Sequence, residues 1–167
     1  FTSLTAALSL RGDLSLRSFV ISPIKPRSPL LEQSCQTRMD PTANFKILMY
    51  SHDTFGLGHL RRSRTIAHAL VGHFPNVEVS IISGSPVVDA FSFEPRVTYV
   101  QMPAAKKLSN GDYTSGSDAQ SFEQTIAARE TIIREAAERL RPDMVIVDKE
   151  PLGLAREMLP TLRMLKE

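Results

Sequence analysis

The chain has 167 residues, and its 42% hydrophobic and 23% charged content is ordinary for one globular domain. Its formal net charge of +2 divides into +3 on residues 1–38 and −1 on the rest, so the patterned part lacks the basic surface typical of nucleic-acid binding. The single cysteine, Cys35, excludes an intramolecular disulfide and a cysteine-based metal site, and no apolar run approaches the ~20 residues of a membrane-spanning helix.

Residues 1–38 differ from the remainder in composition. They are rich in Ser and Arg, poor in acids and interrupted by three prolines. This composition is typical of a disordered leader or of translated sequence upstream of a start at Met39, and organelle transit peptides share it. We expect residues 1–38 to lie outside the domain and residues 39–167 to form it. Because the helical pattern still runs at Glu167, we interpret the chain as a fragment.

The patterned region begins with an apolar strand at residues 45–51. The polar residues His52 and Asp53 follow it, and a short loop then carries Gly56 and Gly58 into a helix. This is the first unit of an open α/β domain, in which ligands bind at the carboxyl end of the strand, against the helix N-terminus. Glycines permit close backbone approach there, and the free N–H groups of the first helical turn favour an anionic or strongly polar ligand.

Further strands and helices alternate along the chain. Helices are predicted at residues 58–73, 87–91, 121–141 and 154–166, the last interrupted at Pro160, and strands at 77–83, 96–102 and 143–148. The buried helix faces are expected at Leu60, Ala67, Leu70, Val71 and Phe74, and at Phe122, Ile126, Ile133, Ala137 and Leu140, with Glu and Arg opposite. Residues 103–119 lack periodicity and are predicted as a loop, in which Lys106, Lys107 and Tyr113 either line a cleft or face solvent.

This alternation predicts an α/β fold, a Rossmann-like parallel sheet with helices on both faces and right-handed crossovers. The usual strand order 3-2-1-4 places the fourth strand beside the first. Asp148 and Glu150, which end the fourth strand, would then share the ligand edge with the glycine loop. Glu150 either binds sugar hydroxyls, acts as a second carboxylate, or forms only a charged rim.

His59 is the strongest candidate for catalysis because it follows the two glycines at the start of the helix. An imidazole titrates near neutrality and can remove a proton from an attacking hydroxyl; the alternative is that it only caps the turn. Asp53 either orients His59, is itself the base, or forms the turn. His52, likewise, either contacts the ligand or only forms part of the turn. Arg62 is suited to hold a phosphate or carboxylate in a bidentate way.

Residues 56–62, GLGHLRR, resemble the G-x-G-H-x-x-R signature of MurG-like enzymes, which belong with glycosyltransferase family 28. The longer run 51–64 is similar to predicted bacterial glycosyltransferases of the two-domain GT-B fold. The resemblance covers residues 45–167, the first part of an N-terminal domain. A UDP-sugar hydrolase of nonulosonate biosynthesis shares the short signature, so the motif fits both transfer and hydrolysis.

The resemblance implies a cytoplasmic hexosyltransferase whose acceptor-side domain is this chain, with the donor-binding domain absent. It implies catalytic roles for His59 and Asp53, and substrate contacts from Gly56, Gly58, Arg62, His52 and Glu150. It implies no cofactor and no metal, a nucleotide-sugar donor, UDP-linked in the enzymes it resembles, and a small-molecule, glycan or lipid acceptor that allows peripheral membrane contact.

Other nucleotide-binding classes fit the sequence less well. A dinucleotide dehydrogenase needs G-x-G-x-x-G, whereas Arg61 occupies the third glycine position, and no P-loop sequence is present. The histidines and scattered acids lack metal-ligand spacing. A non-enzymatic module that binds a nucleotide or sugar remains an alternative.

Overall fold

The computed structural model describes residues 5–9, 44–52 and 57–167. The strands are β1 (Thr5–Ser9), β2 (Phe45–Tyr50), β3 (Val77–Ser83), β4 (Val97–Gln101), β5 (Ala105–Lys107), β6 (Tyr113–Ser115) and β7 (Met144–Asp148). The helices are α1 (Gly58–His73), α2 (Phe122–Leu140) and α3 (Leu159–Met164), with 3₁₀ turns at Val88–Ala90 and Leu154–Arg156. Apart from β1, β5 and β6, these elements follow the predicted pattern closely.

One sheet organises the described part, with the strand order β1-β7-β2-β3-β4. The pairs β2–β3, β2–β7 and β3–β4 are all parallel, so the predicted order 3-2-1-4 is confirmed. Tyr50 lies opposite Ile82 of β3 and Val147 of β7, which sets the carboxyl ends of three strands level. The residues that follow these strands therefore meet at one edge.

The strand β1 is absent from the predicted elements. It pairs antiparallel with β7, and Thr5 lies opposite Asp148. It falls within the stretch predicted as a leader, of which residues 1–4 and 10–38 lie outside the described part. That this stretch as a whole lies outside the domain stays a prediction.

The sheet is covered on both faces, as predicted for a parallel sheet. Successive side chains of a strand point to opposite faces, and β2 shows this directly. Its Ile47 and Met49 pack in the core beneath α1, whereas Leu48 and Tyr50 pack in the core beneath α2. The prediction that Phe74 packs on the sheet is wrong: it is 47% exposed, because it follows the last turn of α1 with extended backbone.

The helix α2 begins at a capping box. Ser121 Oγ accepts from Gln124 N at 3.2 Å, and Gln124 Oε1 accepts from Ser121 N at 3.0 Å. The helix ends at Arg141, whose φ of 50° is left-handed. The prediction that every Arg and Glu of this helix faces solvent is wrong, since Arg129 is fully buried.

Two predicted segments differ in detail. Residues 103–119, predicted as a loop, contain the antiparallel hairpin β5–β6. Its three-residue strands are too short to show a period, and it is joined to α2 by Thr125 Oγ1, which donates to Ser115 Oγ at 2.9 Å. The predicted last helix is divided before Pro160, which lies in the first turn of α3, where proline is tolerated. No helix in the described part is long and apolar enough to cross a membrane.

A buried polar cluster of Tyr50, Arg129 and Glu157 lies where β2 ends, and we call it the Arg129 cluster. The Glu157 carboxylate accepts from Arg129 Nε at 2.6 Å and from Arg129 Nη2 at 2.7 Å, a bidentate pair with both side chains 0% exposed. The Tyr50 hydroxyl donates to Glu157 Oε1 at 2.6 Å. Burial, followed by the charge of Glu157, raises the pKa of Tyr50, so its hydroxyl stays a donor.

The cluster connects the ends of all four parallel strands. Arg129 Nη1 donates to the carbonyl of Pro103 after β4 at 2.7 Å, and the N–H of Leu154 after β7 donates to the Tyr50 hydroxyl at 3.1 Å. Gly84, after β3, lies directly against the guanidinium. A Cβ atom built on Gly84 would be 2.5 Å from Arg129 Nη1 and 3.2 Å from the Pro103 carbonyl oxygen.

We therefore expect Gly84→Ala to destabilise the protein by about 1–3 kcal/mol, since a methyl group would displace a guanidinium that is already fixed on two sides. The measurement is the free energy of unfolding in urea. Gly72→Ala, within α1, is the matched control: a Cβ there meets nothing within 4 Å, so the change should be neutral or stabilising by about 0.5–1 kcal/mol. Equal stability of both variants would show that the cluster tolerates displacement.

Candidate functional site

The site lies where β2 and β7 end side by side and α1 begins. His59, the second residue of α1, contacts Asp148, the last residue of β7. His59 Nδ1 and Asp148 Oδ2 are 2.6 Å apart. The other carboxylate oxygen, Oδ1, accepts from Arg62 Nη1 at 3.1 Å. One turn of α1 thus brings an imidazole and a guanidinium to a single carboxylate.

The contact with Asp148 assigns the roles of the two imidazole nitrogens. Asp148 is 3% exposed, and its two carboxylate oxygens contact His59 Nδ1 and Arg62 Nη1. An ionised carboxylate only accepts, so Nδ1 of a neutral His59 carries the hydrogen and Nε2 carries the lone pair. In the part of the chain that the structure describes, Nε2 has no hydrogen-bond partner, and the side chain is 22% exposed. This pair has the orientation of a carboxylate-held general base.

Sequence reasoning did not identify Asp148 as the carboxylate that contacts His59. Asp53 was the predicted orienting group, and it lies with Gly56 in residues 53–56, outside the described residues. Its role stays a prediction. Asp148 was expected only to share the edge. The signal for its role was present, because a carboxylate that directly follows a central apolar strand reaches the neighbouring strand's loop when the strand order is 3-2-1-4.

Arg62 contacts a residue of the site, whereas Glu150 is exposed beside it. Arg62 supports the Asp148 carboxylate while its side chain remains 42% exposed. A surface ion pair of this kind contributes about 0–1 kcal/mol to stability, so its position matters more than its energy. Glu150 is exposed in the bend after β7. The ligand contacts predicted for both residues stay predictions.

Gly58 begins α1 and is exposed. A Cβ atom there would meet nothing within 4 Å, and its φ is not left-handed, so neither space nor backbone requires glycine. The helix has no side-chain cap from Leu57 and no acidic residue in its first turn. Its N-terminus therefore keeps the partial positive charge that the helix dipole gives it.

His52 lies beside His59 at the same edge of the sheet, but it is fully buried. It is 1% exposed, and neither ring nitrogen has a hydrogen-bond partner among the described residues. Its ring centroid is 5.8 Å from that of His59, edge to face, and 6.3 Å from that of Tyr50. Burial first, and then the positive charge of Lys149, lower the pKa of His52 to about 4. At neutral pH it is an uncharged imidazole with one donor and one acceptor.

No group of three or more His, Cys, Asp or Glu side chains able to hold a metal ion occurs within residues 44–52 and 57–167. Comparisons of the chain with models of protein families, with curated proteins and with solved structures found no match.

The buried state of His52 predicts a loss of stability in mild acid. The unfolded chain has a His52 pKa near 6.5 and the folded chain one near 4, so between these values the unfolded state binds more protons. The contribution of His52 is fully favourable above pH 6.5 and declines as the pH falls towards 4, by at most about 1.4 kcal/mol per pH unit.

The measurement is the free energy of unfolding in urea at pH 7.5 and pH 5.0, for the unaltered chain and for His52→Phe. The variant should lose less stability between the two pH values, because it has no imidazole to protonate at this position. His73→Phe, at the exposed end of α1, is the matched control and should behave like the unaltered chain. Identical pH dependence in all three proteins would contradict the assignment.

Proposed function

We propose that this chain is the acceptor-side domain of a GT-B glycosyltransferase that moves a hexosyl group from a nucleotide-sugar to an acceptor hydroxyl, with His59 as the general base. The observation that carries the proposal is the contact of His59 Nδ1 with Asp148 at 2.6 Å, which leaves Nε2 as an acceptor at the ligand edge of the sheet. The parallel sheet with helices on both faces is compatible with one half of such an enzyme.

In the proposed reaction the acceptor hydroxyl donates its hydrogen bond to His59 Nε2. As its oxygen forms a bond to the anomeric carbon, the bond from that carbon to the diphosphate oxygen breaks, and the nucleoside diphosphate leaves with the electron pair. The hydroxyl proton passes to Nε2, and the resulting imidazolium is stabilised by the Asp148 carboxylate. Arg62 holds the other oxygen of Asp148 through the contact at 3.1 Å.

His52 has a distinct part in this proposal. A neutral, buried imidazole without partners offers one N–H donor and one lone pair, and a hydroxyl group can satisfy either one. We assign His52 to a substrate hydroxyl near His59. Leaving both nitrogens unsatisfied costs about 1–3 kcal/mol for each buried group, and part of this cost would be recovered when substrate binds.

The same base would activate water as readily as a sugar hydroxyl, which makes hydrolysis of the nucleotide-sugar the second candidate. The discriminating experiment uses a longer protein that contains this chain and a donor-binding domain. A transferase should release nucleotide faster when acceptor is added, whereas a hydrolase should release it at the same rate without acceptor. Absence of turnover under both conditions would favour a binding module.

The assignment of the base predicts a large loss of rate in two variants of that longer protein. His59→Gln and Asp148→Asn should each lower kcat by about 10²- to 10⁴-fold. In Asp148→Asn the amide can donate to Nδ1 and so select the wrong tautomer. His68→Gln is the control within the same helix: its Nε2 accepts from the Glu94 N–H at 3.2 Å, away from Asp148, and kcat should stay within about twofold of wild type.

The tautomer can be measured without turnover. Long-range proton–nitrogen spectra of the 167-residue chain should show His59 with its hydrogen on Nδ1, and Asp148→Asn should change that pattern. A near-normal kcat for His59→Gln, or a wild-type tautomer with its hydrogen on Nε2, would refute the general-base assignment. If Asp53→Asn abolishes turnover while His59→Gln does not, the base is Asp53.

A further inference from the structure

The segment that follows Asp148 has an unusually strained backbone. Lys149, Ala155 and Arg156 have φ values of 69°, 48° and 69°, and Gly153 has 74°. For residues with a Cβ atom, a left-handed conformation is strained and persists only where the surroundings enforce it. We call residues 149–157 the strained segment.

The Arg129 cluster holds the strained segment in this conformation. Glu157, at the end of the strained segment, is held in a bidentate pair by Arg129, and the Leu154 N–H donates to the Tyr50 hydroxyl. Gly153 is packed so closely that a Cβ atom there would be 2.8 Å from Met158 Cγ. The segment is thus attached to α2 and to the end of β2 at buried points, while its first residue lies at the ligand edge.

That first residue is Lys149, whose side chain carries an uncompensated charge. Its ammonium is near enough to His52 to be the second cause, after burial, of the lowered pKa of that imidazole. Among the described residues no carboxylate is within ion-pair distance of Lys149. The two buried carboxylates that border the strained segment are already used, Asp148 by His59 and Arg62, and Glu157 by Arg129.

The groups around Lys149 select the kind of ligand that would compensate this charge. His52 is buried, and among the described residues neither of its nitrogens has a hydrogen-bond partner, which is an independent sign of a missing polar group beside it. A substrate hydroxyl can satisfy its lone pair, and its N–H is then left to donate to a second acceptor. The first turn of α1 adds N–H donors and a positive dipole end. An ammonium, the single N–H of His52 and a helix N-terminus together fit a phosphoryl group, which has several acceptor oxygens and negative charge.

We propose that Lys149 binds a phosphoryl group of the ligand beside His52 and His59, and that the Arg129 cluster holds the strained segment in the conformation that presents this lysine. This deepens the proposed function, since the phosphoryl group would belong either to the diphosphate of the donor or to a phosphorylated acceptor. Binding of the phosphoryl group itself does not require that the transfer reaction be correctly assigned.

The first test is a titration of the 167-residue chain with inorganic pyrophosphate, UDP and a hexose 1-phosphate, followed by the imidazole resonances of His52 and His59. Lys149→Asn removes the charge but tolerates the left-handed backbone, and should weaken binding about tenfold or more. Lys149→Arg keeps the charge and should bind within about threefold of wild type. Lys107→Gln, on the β5–β6 hairpin, is the control for general loss of charge and should bind as wild type.

The second test addresses the cluster with Tyr50→Phe, which removes only the hydroxyl that receives the Leu154 N–H. It should weaken phosphoryl binding several-fold and remove most of the further effect of Lys149→Asn, because the lysine is no longer presented. Arg134→Gln, on the exposed face of α2, is the matched control. If the Tyr50 hydroxyl had a purely structural role, Tyr50→Phe would lower stability without changing the effect of Lys149→Asn on phosphoryl binding.

The outcomes separate the two proposals. If Lys149→Asn binds all three probes as wild type does, or if the wild-type chain binds none of them at millimolar concentration, the phosphoryl site is refuted. If Tyr50→Phe and Lys149→Asn have independent effects on phosphoryl binding, the proposed role of the Arg129 cluster is refuted. Tighter binding of UDP than of hexose 1-phosphate identifies the nucleoside diphosphate as the source of the phosphoryl group, and the reverse identifies a sugar phosphate. Phosphoryl binding without any nucleotide release by the longer protein would leave this site standing and refute the transferase.

Discussion

The arrangement of the ligand edge depends on one buried ion pair, between Arg129 and Glu157. Removing a single partner of such a pair typically costs about 3–5 kcal/mol, yet replacing both with apolar residues is often neutral. Its value therefore lies in the arrangement that it fixes. The guanidinium also reaches Pro103 and the Tyr50 hydroxyl, so that segments from three strand ends, those of β2, β4 and β7, share one set of donors and acceptors. A parallel sheet by itself would leave these connections free to adopt many conformations.

The second constraint is the strand order of the sheet, which makes β7 a neighbour of β2. His59 and Asp148 are separated by 89 positions in the sequence and meet only because these two strands are adjacent and parallel. The pairing places Val147 opposite Tyr50, so Asp148 begins the edge at the level where α1 also begins. An imidazole and its carboxylate are thus positioned by a helix and a strand.

Sequence patterns predicted the strands and helices that show a periodicity. They did not predict features that depend on single side-chain contacts. The four parallel strands, their order and the length of α1 follow from apolar runs and helical spacing. Arg129 was missed because its position in α2 is identified as buried only once Glu157 and Pro103 are known to surround it. The β5–β6 hairpin has strands too short to produce a period, and the contact of Asp148 with His59 needed a distance. The roles of His59, His52, Arg62 and Glu150 rest on chemistry that no pattern can test.

The distribution of charge at this edge explains why its ligand should bring negative charge with it. Each buried carboxylate there is satisfied by a cation or an imidazole N–H, and Lys149 is left without a carboxylate among the described residues. Burial first, and then the positive charge of this ammonium, lower the pKa of His52, so the imidazole is uncharged at neutral pH. In the proposed site the ammonium of Lys149 meets the negative charge of the ligand. A base that must accept a proton from a hydroxyl benefits from the same arrangement, because Asp148 compensates the imidazolium locally while a bound phosphoryl group offsets Lys149.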